Sequence, residues 1–306
     1  MQNPGIDRFA QDSFGCPGHT VVHSSPMTHP RPEAARDGYP ARIICLTEET
    51  TETLYLLGAG DLVVGVSGFT VRPAEARSKP KVSEYISANY DLILELEPDV
   101  VFAFSDLQAD IAAELIRRGV PVYCFNQRSI EQILTSIRIM GSIVGYHREA
   151  AALTDRLQTL LDSAKTKAAA LPRRPRVFFE EWHDPLISGI RWVSELVALA
   201  GGDDIFPQLV MEQSATKRIV KPEHVVEENP ELILASWCGR KVHMDTIRER
   251  PGFAEVAAVR NGHMYEIESS LILQPGPACI IEGLKCIQPH IEAVATTEPA
   301  AFMTKG

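Results

Sequence analysis

Residues 98–104, Pro-Asp-Val-Val-Phe-Ala-Phe, and residues 230–235, Pro-Glu-Leu-Ile-Leu-Ala, are two versions of one phrase: a proline, an acidic residue and an apolar run, with Ser105 and Ser236 just beyond. An apolar run of this length behind a breaker predicts a strand buried on both faces. Working outward from the first copy, LILELE ends a helix, DIAAELIRR is a helix closed by Gly119, and VPVYCF is the next strand. Upstream, RIICL and LVVGVS read as strands, with a helix through Leu54 and Leu57 between them that stops at Gly-Ala-Gly. The second copy sits in the same order: RVFFEEW as a strand, WVSELVALAGG as a helix stopped by glycines, then the phrase itself, then FAEVAAVRNGHMYEI as helix, turn and strand. Strands alternating with helices predict an α/β class with mainly parallel sheets, and the duplicated order predicts two lobes.

Between the copies, in residues 147–172, Leu153, Leu157, Leu160, Leu161, Ala164, Ala168 and Leu171 fall on one helical stripe. This predicts one long rigid helix of roughly 35 to 40 Å, favouring a fixed cleft with small hinge motion. The expected organisation is a flexible leader over 1–40, a first lobe over 41–146, the joining helix over 147–172, a second lobe over 173–295 and a tail over 296–306.

Composition narrows the function. Thirty Lys and Arg against 40 Asp and Glu give a net charge of −10, which lacks the basic footprint that attracts nucleic acid or anionic lipid. No apolar run is long enough for a membrane span. The six cysteines (Cys16, Cys45, Cys124, Cys238, Cys279 and Cys286) form no CxxC pair, so neither a zinc ribbon nor a disulfide framework is expected. Free thiols and the lack of a basic, then apolar, signal segment point to the cytoplasm, although Gly15-Cys16 faintly resembles a lipoprotein cleavage site and Met27 offers another start. A monomer is expected.

In parallel α/β sheets ligands bind beyond the carboxyl ends of the strands, so the residues just after each apolar run are the candidates. Aromatics collect there: Phe69, Tyr85, Phe104 and Phe125 in the first half, and Trp182, Trp192 and Trp237 in the second. Together they would wall a large, partly planar ligand, although each alone also fits its own lobe's core. Thr47, Glu48, Glu49, Ser105, Asp106, Asn126, Gln127, Glu180, Glu181, Asp184 and Ser269 supply polar groups in the same loops, and Arg191, Arg240 and Lys241 supply cations. Adjacent strand residues point to opposite faces, so Glu180 and Glu181 do not form an acid–base pair by position. No HxH or HExxH spacing marks a metal cage, but His183 or Cys238 offers one axial ligand to a metal already held in a macrocycle. Phosphate-binding glycine loops and a GxSxG elbow are absent.

RIICLTEETTETLYLLGAGDLVVGVS, PKVSEYISANYDLILELEPDVVFA, the long helix, RVFFEEWHDPLISGIRWVSELVALAGGDDIF and VKPEHVVEENPELILAS, in this order, resemble the cobalamin and iron-siderophore substrate-binding proteins of ABC importers, most of all the cobalamin-binding branch. The resemblance runs from about Arg42 to His290. It implies two Rossmann-like lobes joined by one long helix, a corrinoid held between them without catalysis, and docking on an ABC permease through an acidic residue of each lobe, here Glu52 and Glu195. Ferric-siderophore or haem binding is the rival ligand class. An enzyme acting on a metallo-tetrapyrrole is the rival of another kind.

Overall fold

The structure, a computed structural model, describes residues 32–298. The expected leader up to residue 31, with Cys16 and Met27, and the tail beyond residue 298 lie outside the described residues. Residues 32–40, expected as part of that leader, are tied down instead. Arg36 pairs with Glu149 and stacks over the Tyr146 ring, whose hydroxyl donates to the Ala34 carbonyl.

Five strands form the first sheet: β1 (Ile43–Cys45), β2 (Val63–Ser67), β3 (Lys81–Ser83), β4 (Val100–Phe104) and β5 (Val122–Phe125), all parallel, in the order β3-β2-β1-β4-β5. The second sheet runs β10 (Met264–Glu266), β9 (Leu232–Ala235), β6 (Arg176–His183), β7 (Leu186–Ser188), with β8 (Asp203–Asp204) paired beside β6. Its pairs are parallel except β6 with β7, where the chain turns back at Asp184-Pro185. Strands as short as β3, β7 and β8 carry too few residues for a hydrophobic period to declare them.

The repeated phrase has a mechanical role. Asp99 accepts hydrogen bonds from the Ala41 and Arg42 amides and returns its own N–H to the Arg42 carbonyl, fastening β4 to β1. Glu231 does the same for β9 and β6, accepting from the Arg176 amide and donating to the Arg176 carbonyl.

Six helices matter for the cleft: α1 (Glu48–Leu56), α2 (Tyr90–Glu95), α3 (Ala109–Arg117), α4 (Ile130–Ile143), α5 (His147–Ala169) and α6 (Arg191–Leu199). Glu48 and Glu49 open α1, where carboxylates favour the positive end of a helix, and the Ser129 hydroxyl caps α4 by accepting from the Gln132 amide. Strand alternation sorts the core. Ile44, Leu46, Val101 and Ala103 pack on one face of the first sheet, and Phe178, Ile233 and Ala235 on one face of the second. The other two faces, through Ile43, Phe102, Val177, Phe179, Leu232 and Leu234, share a single buried cluster with Leu153, Leu157 and Leu161 of α5.

Candidate functional site

A cavity of about 310 Å³ opens where the carboxyl ends of both sheets meet. Thr47 follows β1, Ser67 ends β2, and Phe69, Val71 and Tyr85 lie on the loops after β2 and β3; with Glu48 they form the first lobe's wall. Opposite stand Cys238 and Gly239 beyond β9, and Glu268, Ser269, Ser270 and Gln274 beyond β10. Gly239, Glu268 and Ser269 continue into a depression of about 510 Å³ that also holds Arg240 and Lys241. Of the residues singled out from the sequence, this cavity brings together Thr47, Glu48, Phe69, Tyr85, Cys238 and Ser269.

Asp106 and Asn126 lie elsewhere along the cleft. They line a second depression of about 450 Å³ with Arg128, and Met211, Glu212 and Lys217 of the other lobe. Ser105, held at φ 62, is buried, and its hydroxyl accepts from the Leu107 amide. Trp182 is half-buried, with its indole N–H on the Asp184 carbonyl and the Arg240 guanidinium 5.4 Å above its ring.

Four aromatics expected as cleft walls are core residues instead, among them Phe125, 4% exposed at the end of β5. Phe104 ends an all-buried strand. Trp192 sits on the buried face of α6, its indole N–H donating to the Ile272 carbonyl at 3.0 Å. Trp237 is only 2% exposed; its N–H meets Glu180 at 3.0 Å and its ring stacks on His183 at 4.2 Å. Each follows an apolar run closely enough to be drawn into its own lobe's core, where a large ring buries most area.

Glu180 and Glu181 point apart as strand alternation requires, and both are occupied. Glu180, fully buried, accepts from both Arg250 nitrogens; Glu181 forms a bidentate pair with Arg218, itself 1% exposed. The Nδ1 of His183 is buried and has no hydrogen-bond partner among the described residues. Burial, with Glu181 and Glu48 nearby, pushes the Cys238 thiol up and disfavours the thiolate a metal ligand would need. Among the described residues no cluster of His, Cys, Asp and Glu has the form of a metal site.

The acidic start of α1 dominates the cavity's electrostatics. Burial, then Glu49 and Glu52, raises Glu48 to about 8; burial raises Glu49 to about 7 against the Thr47 hydroxyl, which donates to it at 2.6 Å. Burial and then Glu49 also push the Tyr85 phenol upward.

Glu52 and Glu195 do not stand out as free acidic knobs. Glu52 pairs with Arg72 of its own lobe at 2.8 Å, and its other oxygen accepts from the Ala278 amide of the opposite lobe at 3.1 Å. Glu195 mirrors this, pairing with Arg191 at 2.7 Å and accepting from the Ile130 amide, at the start of α4, at 2.8 Å. Both oxygens of each carboxylate are thus engaged within the chain. This exchange between lobes, together with the Gln127 side chain donating to the Pro275 carbonyl at 2.9 Å, carries no signature in the sequence.

A family profile described as "Periplasmic binding protein" matches residues 43–271. The chain is 26% identical over 261 residues to an uncharacterized ABC transporter substrate-binding lipoprotein, YvrC, of Bacillus subtilis, covering 80% of this chain and 78% of that protein. It is 27% identical over 256 residues to a vitamin B12-binding protein of Vibrio parahaemolyticus, covering 83% and 90%. The structure of a periplasmic heme-binding protein, RhuT, from Roseiflexus superposes with a TM-score of 0.74 at 22% identity, covering 83% of this chain and 99% of that one.

Proposed function

The chain belongs to the periplasmic binding protein family and is a substrate-binding protein of ABC-importer type, and on that premise we propose that its ligand is a corrinoid, captured without turnover in the cleft between the lobes. The observation that carries this reading is the cavity walled by both lobes at the carboxyl ends of their strands, which shares Gly239, Glu268 and Ser269 with the depression that holds Arg240 and Lys241. Its Phe69 and Val71 offer flat apolar contact, while hydroxyls of Thr47, Ser67, Ser269 and Ser270 and the Gln274 amide suit the carboxamide rim of a corrin. The relative named for vitamin B12 supports the corrinoid, and the fold shared with a heme-binding protein makes haem the rival. The partner that receives the ligand is an ABC permease, and the compartment proposed is the family's own, the periplasmic side. Among the described residues no helix is long and apolar enough to cross a membrane.

The test is a visible-absorbance titration of the purified chain with cyanocobalamin, hydroxocobalamin, haemin and a ferric hydroxamate, with product analysis. Stoichiometric corrinoid binding with the ligand recovered unchanged is expected. Uptake of haemin or the hydroxamate alone would move the ligand to iron, and a new corrinoid product would make the protein an enzyme.

A further inference from the structure

Glu48, at the first position of α1, lines the cavity that both lobes wall, yet none of the residues lining that cavity is a lysine, arginine or histidine. The carboxyls around it are its own neighbours: Glu49, buried behind it against Gly276, and Glu52, one turn on, whose cation Arg72 is already taken. From the other elements, Tyr85, Cys238 and Glu268 face the same space, and none of them brings a positive charge. Arg240 and Lys241 line the adjoining depression instead.

Resting on the corrinoid-binding reading, we propose that Glu48 determines ligand specificity: its carboxyl donates a hydrogen bond to an uncharged acceptor such as a carboxamide oxygen, and the pocket rejects a ligand face bearing carboxylates. Two physical facts drive this. A carboxylate brought beside Glu48, Glu49 and Glu268 would be desolvated without a counter-ion. Burial and Glu49 hold the Glu48 proton until about pH 8, so the donor is present at neutral pH and is lost above it. A carboxamide accepts that proton without adding charge.

The probes are cyanocobalamin, its monocarboxylic acid derivatives, in which one side-chain amide is hydrolysed, and haemin beside its neutral dimethyl ester. Binding is measured from pH 6.5 to pH 9 with the unmodified protein and with Glu48→Gln and Glu48→Lys. Cyanocobalamin affinity should fall about tenfold across that range, as expected when a donor that loses its proton near pH 8 is required. At neutral pH the most affected monocarboxylic acid should bind at least tenfold more weakly than the amide. Glu48→Gln, which donates through its amide at every pH, should flatten the pH profile, whereas Glu48→Lys should narrow or invert the preference between amide and acid. Corrinoid binding that is flat with pH and indifferent to every hydrolysed amide would overturn the proposal and leave the corrinoid reading standing. Tighter binding of the neutral porphyrin ester than of haemin, without corrinoid binding, would support the charge filter while overturning the corrinoid. Failure of all these probes to bind would overturn both.

Discussion

Glu49 shows at the scale of one side chain what burial without a cation does to a carboxyl. It is 3% exposed, its hydrogen-bond donor is the neutral Thr47 hydroxyl, and Gly276 of the other lobe lies so close that a Cβ there would sit 2.5 Å from the Glu49 Cβ. Its ionisation is raised from 4.5 to about 7, mainly by that burial. The folded chain therefore holds a proton that the unfolded chain has released between about pH 4.5 and 7. The resulting contribution opposes folding progressively as pH rises through that window, and is absent below it. Glu49→Gln keeps an acceptor for Thr47 without the charge. Its melting temperature relative to the unmodified protein should rise by a few degrees between pH 5 and pH 8.5, measured by calorimetry at both values; an identical difference at the two pH values would mean the carboxylate is not penalised in the fold.

At the scale of elements, the two lobes cap each other's helices. Glu52 on α1 reaches the amide of Ala278, just before the helical stretch that starts at Cys279, and Glu195 on α6 reaches the amide of Ile130 at the start of α4. A helix begins with unsatisfied N–H groups and a partial positive charge, so a carboxylate from the facing lobe is bound there by geometry as well as by charge. Glu52→Ala and Glu195→Ala should each cost about 1 to 2 kcal/mol in denaturant unfolding. They should also speed hydrogen exchange at the Ala278 or Ile130 amide selectively. Glu195→Gln, which retains the acceptor, should recover most of the loss. Equal exchange at these amides in the alanine variants would show that the carboxylates do not hold the lobes together.

For the molecule as a whole, the shared apolar cluster is decisive. It contains strand residues of both sheets and the inward stripe of α5, a 23-residue helix, so one face of each sheet packs into a core that the lobes share. The chain should therefore melt in one cooperative calorimetric transition, and ligand should change its scattering radius of gyration little; two separated transitions would mean that the lobes fold independently. The alternation of strand and helix, the two lobes and the long joining helix were legible in the sequence, because apolar periodicity, glycine stops and the Pro-acid phrase act over a few residues each. Glu48, Phe69, Tyr85, Cys238 and Ser269 were legible as residues following the strands for the same reason. Only the tertiary structure decided that Phe104, Trp192 and Trp237 turn inward, that Glu180 and Glu181 serve Arg250 and Arg218, and that Glu52 meets an amide 226 positions away. Those outcomes depend on which faces of two sheets are brought together, and a contact between distant residues leaves no local period along the chain.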